Sequence, residues 1–167
     1  MSKAFTRSAI AILSAIAAFT SVAANAQVRT EKNISLPLAS EIAASAVAAC
    51  TDKGYNVTAT VVDRAGTVRA VLRADNAGPH TIDASRAKAF TAASAKNSTS
   101  AILESVQKTP AAQFLPMIPG YLIVAGGVPI KSGNEVIGAV GVGGAPGGHL
   151  DEQCAAVALD KVKDKLI

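Results

Sequence analysis

The stretch from 138 to 154, GAVGVGGAPGGHLDEQC, decides how the chain folds. It holds six of the chain's 13 glycines within eleven positions, followed by a histidine and two acids. Such a glycine run is either a phosphate-cradling loop or a strand that turns sharply into a helix. A dinucleotide fingerprint needs G-x-G-x-x-G between a strand and a helix. Gly141 and Gly143 begin one, but the third glycine position holds Pro146. A Walker loop needs Gly-Lys-Ser/Thr, and no lysine falls between Lys131 and Lys161. The corner remains. Residues 135–143 alternate as a strand, with Val136, Gly138, Val140 and Val142 on one face. Ile137, Ala139, Gly141 and Gly143 take the other. Two bare positions on one face call for a close-packed neighbour. From His149 or Leu150 a helix runs to the end, with Leu150, Cys154 and Val157 in register.

Working back from that corner, Tyr121–Ala125 and Val128–Lys131 read as two short strands. Ser132-Gly-Asn134 then turns the chain into the glycine-rich strand. Thr109–Pro119 carries three prolines and is irregular. Residues 97–108 form a short helix. A longer one runs from Thr81 or Asp83 to Lys96, with Ile82, Ala89, Phe90 and Ala93 inward. Residues 55–63 and 67–74 alternate on either side of Asp63-Arg-Ala-Gly66 and form a hairpin. Val57, Ala59 and Val61 point one way, and Thr58, Thr60 and Val62 the other. Arg69 and Arg73 share a face. A first helix opens at Leu36-Pro37-Leu38 and stops at Lys53-Gly54, with Leu38, Ile42, Ala46 and Cys50 on one side. The order helix, two strands, helices, three strands, helix predicts an α+β fold. Its antiparallel sheet is covered by helices.

The chain's start is of another kind. Lys3 and Arg7 precede an apolar run, Ala9–Phe19, and Ala24 and Ala26 supply small residues for cleavage. The run is shorter than the roughly 20 residues that span a bilayer. Residues 1–26 are therefore expected to be a signal peptide, and residues 27–167 a single exported domain, periplasmic or secreted and free of the membrane. Without Lys3 and Arg7 the net charge falls from +4 to +2. That balance, with no Trp, two Tyr and four Phe, excludes a nucleic-acid partner. In an oxidising compartment two cysteines pair by default. Placing the first and last strands side by side brings Cys50 and Cys154 together, which favours a disulfide over two free thiols.

Few residues carry chemistry. His80 and His149 are the only histidines, each just before or at a helix start, and either could ligate a haem iron or another metal. Met117 and Tyr121 are further candidate ligands. Arg86 and Lys88, on a helix of small residues, could hold a carboxylate such as a propionate. Asp151 and Glu152 sit where a helix dipole favours acids. Neither an HExxH zinc motif nor a G-x-S-x-G nucleophile elbow is present.

Three blocks, VVDRAGTVRAVLRAD (61–75), IDASRAKAFTAA (82–93) and GGVPIKSGNEVIGAVGVGGAPGGHLDEQCA (126–155), together resemble the GlcG/HbpS-like family. That family is also described as haem-binding or PduO C-terminal-like. The likeness spans residues 36–165. It implies a profilin-like antiparallel sheet of about five strands between helices, assembly into homo-oligomers, often octamers, and haem as cofactor in some members. The family pattern matches Arg86, Lys88, Ala89, Thr91 and Ala92 in one helix, and Gly126, Gly127, Pro129, Gly138, Asp151 and Glu152 toward the C-terminus. The expectation is an exported haem-binding protein that sequesters or senses haem or iron. His149 or His80 would lie near the iron, and Arg86 or Lys88 near the propionates. The alternative is an enzyme acting on a carboxylate or carbonyl substrate at an inter-subunit pocket, with Arg86, Lys88 and Asp151 as its polar groups.

Overall fold

The computed structural model describes residues 28–167, so the expected signal peptide lies outside the described residues. The chain divides after Thr30. Residues 28–30 carry no regular element, and Glu31–Ile167 is one compact unit. Within it run α1 (Leu36–Thr51), β1 (Thr58–Asp63), β2 (Val68–Arg73), α2 (His80–Ala95), α3 (Thr99–Lys108), β3 (Gly127–Ser132), β4 (Glu135–Gly143) and α4 (Gly148–Lys161). Ser35 caps α1 by accepting from the Leu38 amide, and proline within its first turn has no amide to leave unsatisfied.

The sheet is antiparallel in the order β2-β1-β4-β3. It has four strands, where about five were expected. The predicted strand at Tyr121–Ala125 is absent: the Tyr121 amide donates back to the Ile118 carbonyl, and bonding to β4 begins only at Gly126, whose carbonyl accepts from the Val142 amide. Thr91 Oγ1 accepts from the Leu122 amide at 2.9 Å, and Glu152 Oε2 from the Gly126 amide at 3.2 Å.

The expected alternation of β1 holds. Val57, Ala59 and Val61 join a core with α1 and α4 that also takes Ile42, Ala46, Val140, Val142 and Cys154. On the other face Val62 packs with Ala89, Ala92, Ala93 and Ala139. There Thr58 and Thr60 meet α2 through buried hydroxyl pairs, Thr58–Thr81 at 2.6 Å and Thr60–Ser85 at 2.7 Å. The inward face of α2 is therefore small and partly polar, and Ile82, expected inward, is exposed. Two other placements change. The β3–β4 register shifts opposite Ile130 and Lys131, so Ile137 joins Val140 and Val142 in the α1/α4 core rather than facing α2. Arg69 falls in a register shift of the hairpin, which breaks the regular spacing expected for Arg69 and Arg73. In α4 the buried residues are Asp151, Cys154, Ala155 and Ala158, and Val157 faces outward.

The glycines of β4 admit α2, as two bare positions on one face required. A Cβ at Gly141 would lie 2.1 Å from the Ser85 carbonyl oxygen and 2.5 Å from the Ala89 amide nitrogen. Both are backbone atoms and cannot rotate away. Gly141→Ala is expected to cost about 3 kcal/mol, the upper range for overpacking. Urea unfolding reads this, and a loss below about 0.5 kcal/mol, the scatter of ordinary surface changes, would mean that α2 is free to shift.

Cys50, in the last turn of α1, and Cys154, in α4, are disulfide-bonded with Cα atoms 5.4 Å apart. The expected pairing is present. No helix among the described residues is long and apolar enough to cross a membrane.

Candidate functional site

The first turn of α4 is fixed from four directions by two adjacent carboxylates. Asp151 is 2% exposed and Lys88 4%. Asp151 Oδ2 accepts from Lys88 Nζ at 2.8 Å, and Oδ1 from the Ala145 amide at 2.9 Å. Lys88 Nζ donates also to the Val142 carbonyl at 2.9 Å. Next in sequence, Glu152 accepts from the Ser100 hydroxyl at 2.6 Å and from the Gly126 amide. Gly126, at φ +124°, is required here. A Cβ would meet the Val142 oxygen at 2.7 Å and Lys88 Nζ at 2.9 Å. α2, α3, β4 and the segment before β3 thus converge on residues 151 and 152.

On the outer side of this turn lies a shallow cavity of about 290 Å³, lined by Ser100, Ala125, His149, Glu152, Gln153 and Ala156. His149, Glu152 and Gln153 fall at i, i+3 and i+4, which puts them on one helical face. His149 is exposed. Its imidazole lies over Gly147, where a Cβ would come within 2.7 Å of Cε1. Neither ring nitrogen makes a hydrogen bond within the described residues, so both are available to a ligand.

The other expected residues are distributed around this centre rather than gathered in it. His80 opens α2 and is exposed against Gly78, eight residues or about 12 Å of helix before Lys88. Arg86 is half-exposed and pairs with Asp83 at 3.9 Å. Two helical residues from Lys88, it points to a different side of α2, because each residue turns the helix by about 100°. Lys88 and Asp151 answer each other in the interior. Tyr121 donates to Ser94 Oγ at 2.9 Å, and Met117 stands exposed on a short 3-10 turn. Among the described residues no three of His, Cys, Asp and Glu gather into a metal cluster.

Ala125, Ser100 and Gln153 were not among the expected site residues. The signal that marks Gln153 is helical spacing, since Glu152 and Gln153 follow His149 by about one turn. Ser100 and Ala125 arrive from elsewhere in the chain, and no local pattern marks them. Another cavity of about 290 Å³, near the start of α1, is lined by Lys32, Ser132, Ile137 and Ile167 among others and holds neither histidine.

Residues 34–160 match the family model described as "Haem degrading protein HbpS-like". An uncharacterized 15.0 kDa protein in the dhaT-dhaS intergenic region of Citrobacter freundii is 33% identical over 129 residues, 76% of this chain and 90% of its own. The crystal structure of a double mutant of Streptomyces reticuli HbpS superposes with a TM-score of 0.77 at 32% identity. It covers 94% of this chain and 98% of that one. The PduOC:Heme complex superposes at 0.68 and 21% identity, over 77% of this chain and 94% of that one, a likeness of fold.

Proposed function

The chain belongs to the HbpS-like family, described as haem-degrading, and from that premise we propose that it binds haem in the α4 cavity, with His149 as the iron ligand. The observation that carries this is His149 itself: exposed, unbonded at both ring nitrogens within the described residues, and lining a cavity together with Ala125 and Ala156. A haem needs a nitrogen or sulfur ligand for its iron and an apolar surface for its ring, and both are here. One solved structure of similar fold is a haem complex. When bound, the haem supplies the redox and oxygen chemistry, and the protein supplies ligation, shielding and charge.

Each residue of the turn has a part in this. The Lys88–Asp151 pair and the Glu152 bonds to Ser100 and Gly126 hold the first turn of α4 against the segment before β3, so the cavity has a fixed floor and a fixed ligand. His80, on α2, is the second candidate ligand. A cavity of about 290 Å³ is at the small end of ligand sites and open to solvent, so one chain covers part of a macrocycle. Val68, Val71 and Leu72 on edge strand β2, with Phe114, Met117 and Ile118, are also exposed. We therefore include a homo-oligomer, whose second copy covers apolar surface of this kind. Export, with sequestration or sensing of haem or iron, completes the reading, and residues 1–26 and the buried disulfide support the export. Light scattering giving one chain per particle would remove the oligomer, and a mature N-terminus other than Gln27 the predicted cleavage.

Titration of the purified protein with hemin tests the binding. A Soret shift saturating at one haem per chain, at micromolar protein, is expected, and an unchanged spectrum would overturn it. The carboxylate- or carbonyl-processing alternative rests on Arg86, Lys88 and Asp151. Two of these are buried against each other and the third faces elsewhere, so no observation favours it.

A further inference from the structure

One lining residue of the cavity is charged, and its neighbour in sequence is bonded to a charge of the opposite sign. Glu152 is the one carboxylate among its lining residues. It is held by Ser100 and the Gly126 amide, and no cation pairs with it within the described residues. The next lining residue, Gln153, accepts through Oε1 from Lys53 Nζ at 3.2 Å. Lys53 follows α1 and is exposed. It is brought to Gln153 by the disulfide. Cys50 lies three residues before Lys53, and Cys154 is the neighbour of Gln153, so the bond ties the end of α1 to the cavity's own helix. The Lys53 amide donates to the Cys50 carbonyl at 3.0 Å, which fixes the turn that carries it.

We propose that Lys53 is the cation that receives the ligand's carboxylate, and that Glu152 turns the carboxylate-bearing edge toward it. This deepens the haem reading and rests on it. Arg86 and Lys88, the cations expected from sequence, are respectively on another side of α2 and committed to Asp151. Lys53 is the ammonium hydrogen-bonded to a cavity residue from outside. Its hydrogen bond to a neutral amide oxygen is readily exchanged for a charge-assisted bond to a carboxylate, which is the stronger partner. Glu152 repels a carboxylate placed on its own side, so the two residues act in the same sense on orientation.

The test compares Lys53→Glu with the unmodified full chain, using hemin and an iron(III) porphyrin whose carboxylates are esterified. Lys53 is exposed, and unchanged thermal unfolding of K53E confirms that the fold is kept. At low salt K53E is expected to weaken hemin binding about fivefold or more, the scale of an exposed ion pair lost and reversed. The gap should shrink in high salt, where screening reaches a few ångströms. The esterified porphyrin should bind both proteins alike, within about twofold. Equal hemin affinity for K53E and the unmodified protein overturns the assignment of Lys53, as does an equal loss for the esterified ligand. Failure of the unmodified protein to bind either porphyrin overturns the haem reading itself.

Discussion

Replacing Lys88 by methionine should destabilise the fold by about 3–5 kcal/mol, because it strands the Asp151 carboxylate in the interior. Lys88 and Asp151 are almost wholly buried, with the ammonium 2.8 Å from the carboxylate. Without it Asp151 keeps one partner, the Ala145 amide, for a full negative charge. The cost comes from the unpaired ion more than from the lost attraction. It follows that Lys88→Met combined with Asp151→Asn should regain a substantial part of the loss, since the asparagine can still accept from Ala145 and carries no charge. Urea unfolding of the two single variants and the double reads the coupling directly. A cost for K88M below about 1 kcal/mol, the scale of an exposed pair, would show that water reaches the site.

The second large effect is expected at the disulfide. The Cys50–Cys154 bond closes a loop with a sequence separation of 104, and chain-entropy arguments give about 4.7 kcal/mol for a loop of 100 residues. Both cysteines are fully buried, so substitution by alanine also forfeits packing between α1 and α4. The Cys50→Ala, Cys154→Ala double variant should lose about 4 kcal/mol by chemical unfolding. A loss under about 1 kcal/mol would mean that the unfolded chain is already constrained between those points. Because the bond holds Lys53 beside Gln153, the same variant should bind hemin more weakly than the parent under conditions where both are folded.

Much of the fold was legible because strands announce themselves by alternation. The two faces of β1 are as the sequence arranges them, and the bare Gly141 and Gly143 call for a close-packed neighbour, which is α2. The disulfide followed from topology together with the expected compartment. What stayed hidden has physical causes. Ile137 changes face because a register shift inserts one residue, and a period of two cannot show that. Ile82 and Val157 were expected inward because they are large apolar residues in helical register with others of their helices. The buried faces of α2 and α4 are instead built from Thr81, Ser85, Lys88 and Ala89, and from Asp151, Cys154 and Ala155. Hydrophobic periodicity is blind to a face whose polar atoms are satisfied across the chain. Lys88 is buried only because a carboxylate 63 positions away meets it. The candidate site shows the same division. His149 and its helical neighbours could be read locally, whereas Ser100, Ala125 and Lys53 come to it through tertiary structure.

The central claim is that His149 ligates haem iron in the α4 cavity. The most direct measurement is the absorption spectrum of the ferric haem complex in three proteins: unmodified, His149→Ala and His80→Ala. His149 is exposed and makes no hydrogen bond within the described residues, so its removal should leave stability within about 0.5 kcal/mol. His149→Ala is expected to lose the Soret position of the unmodified complex and to regain it on addition of imidazole, with His80→Ala unchanged. A spectrum retained in His149→Ala and lost in His80→Ala would contradict it.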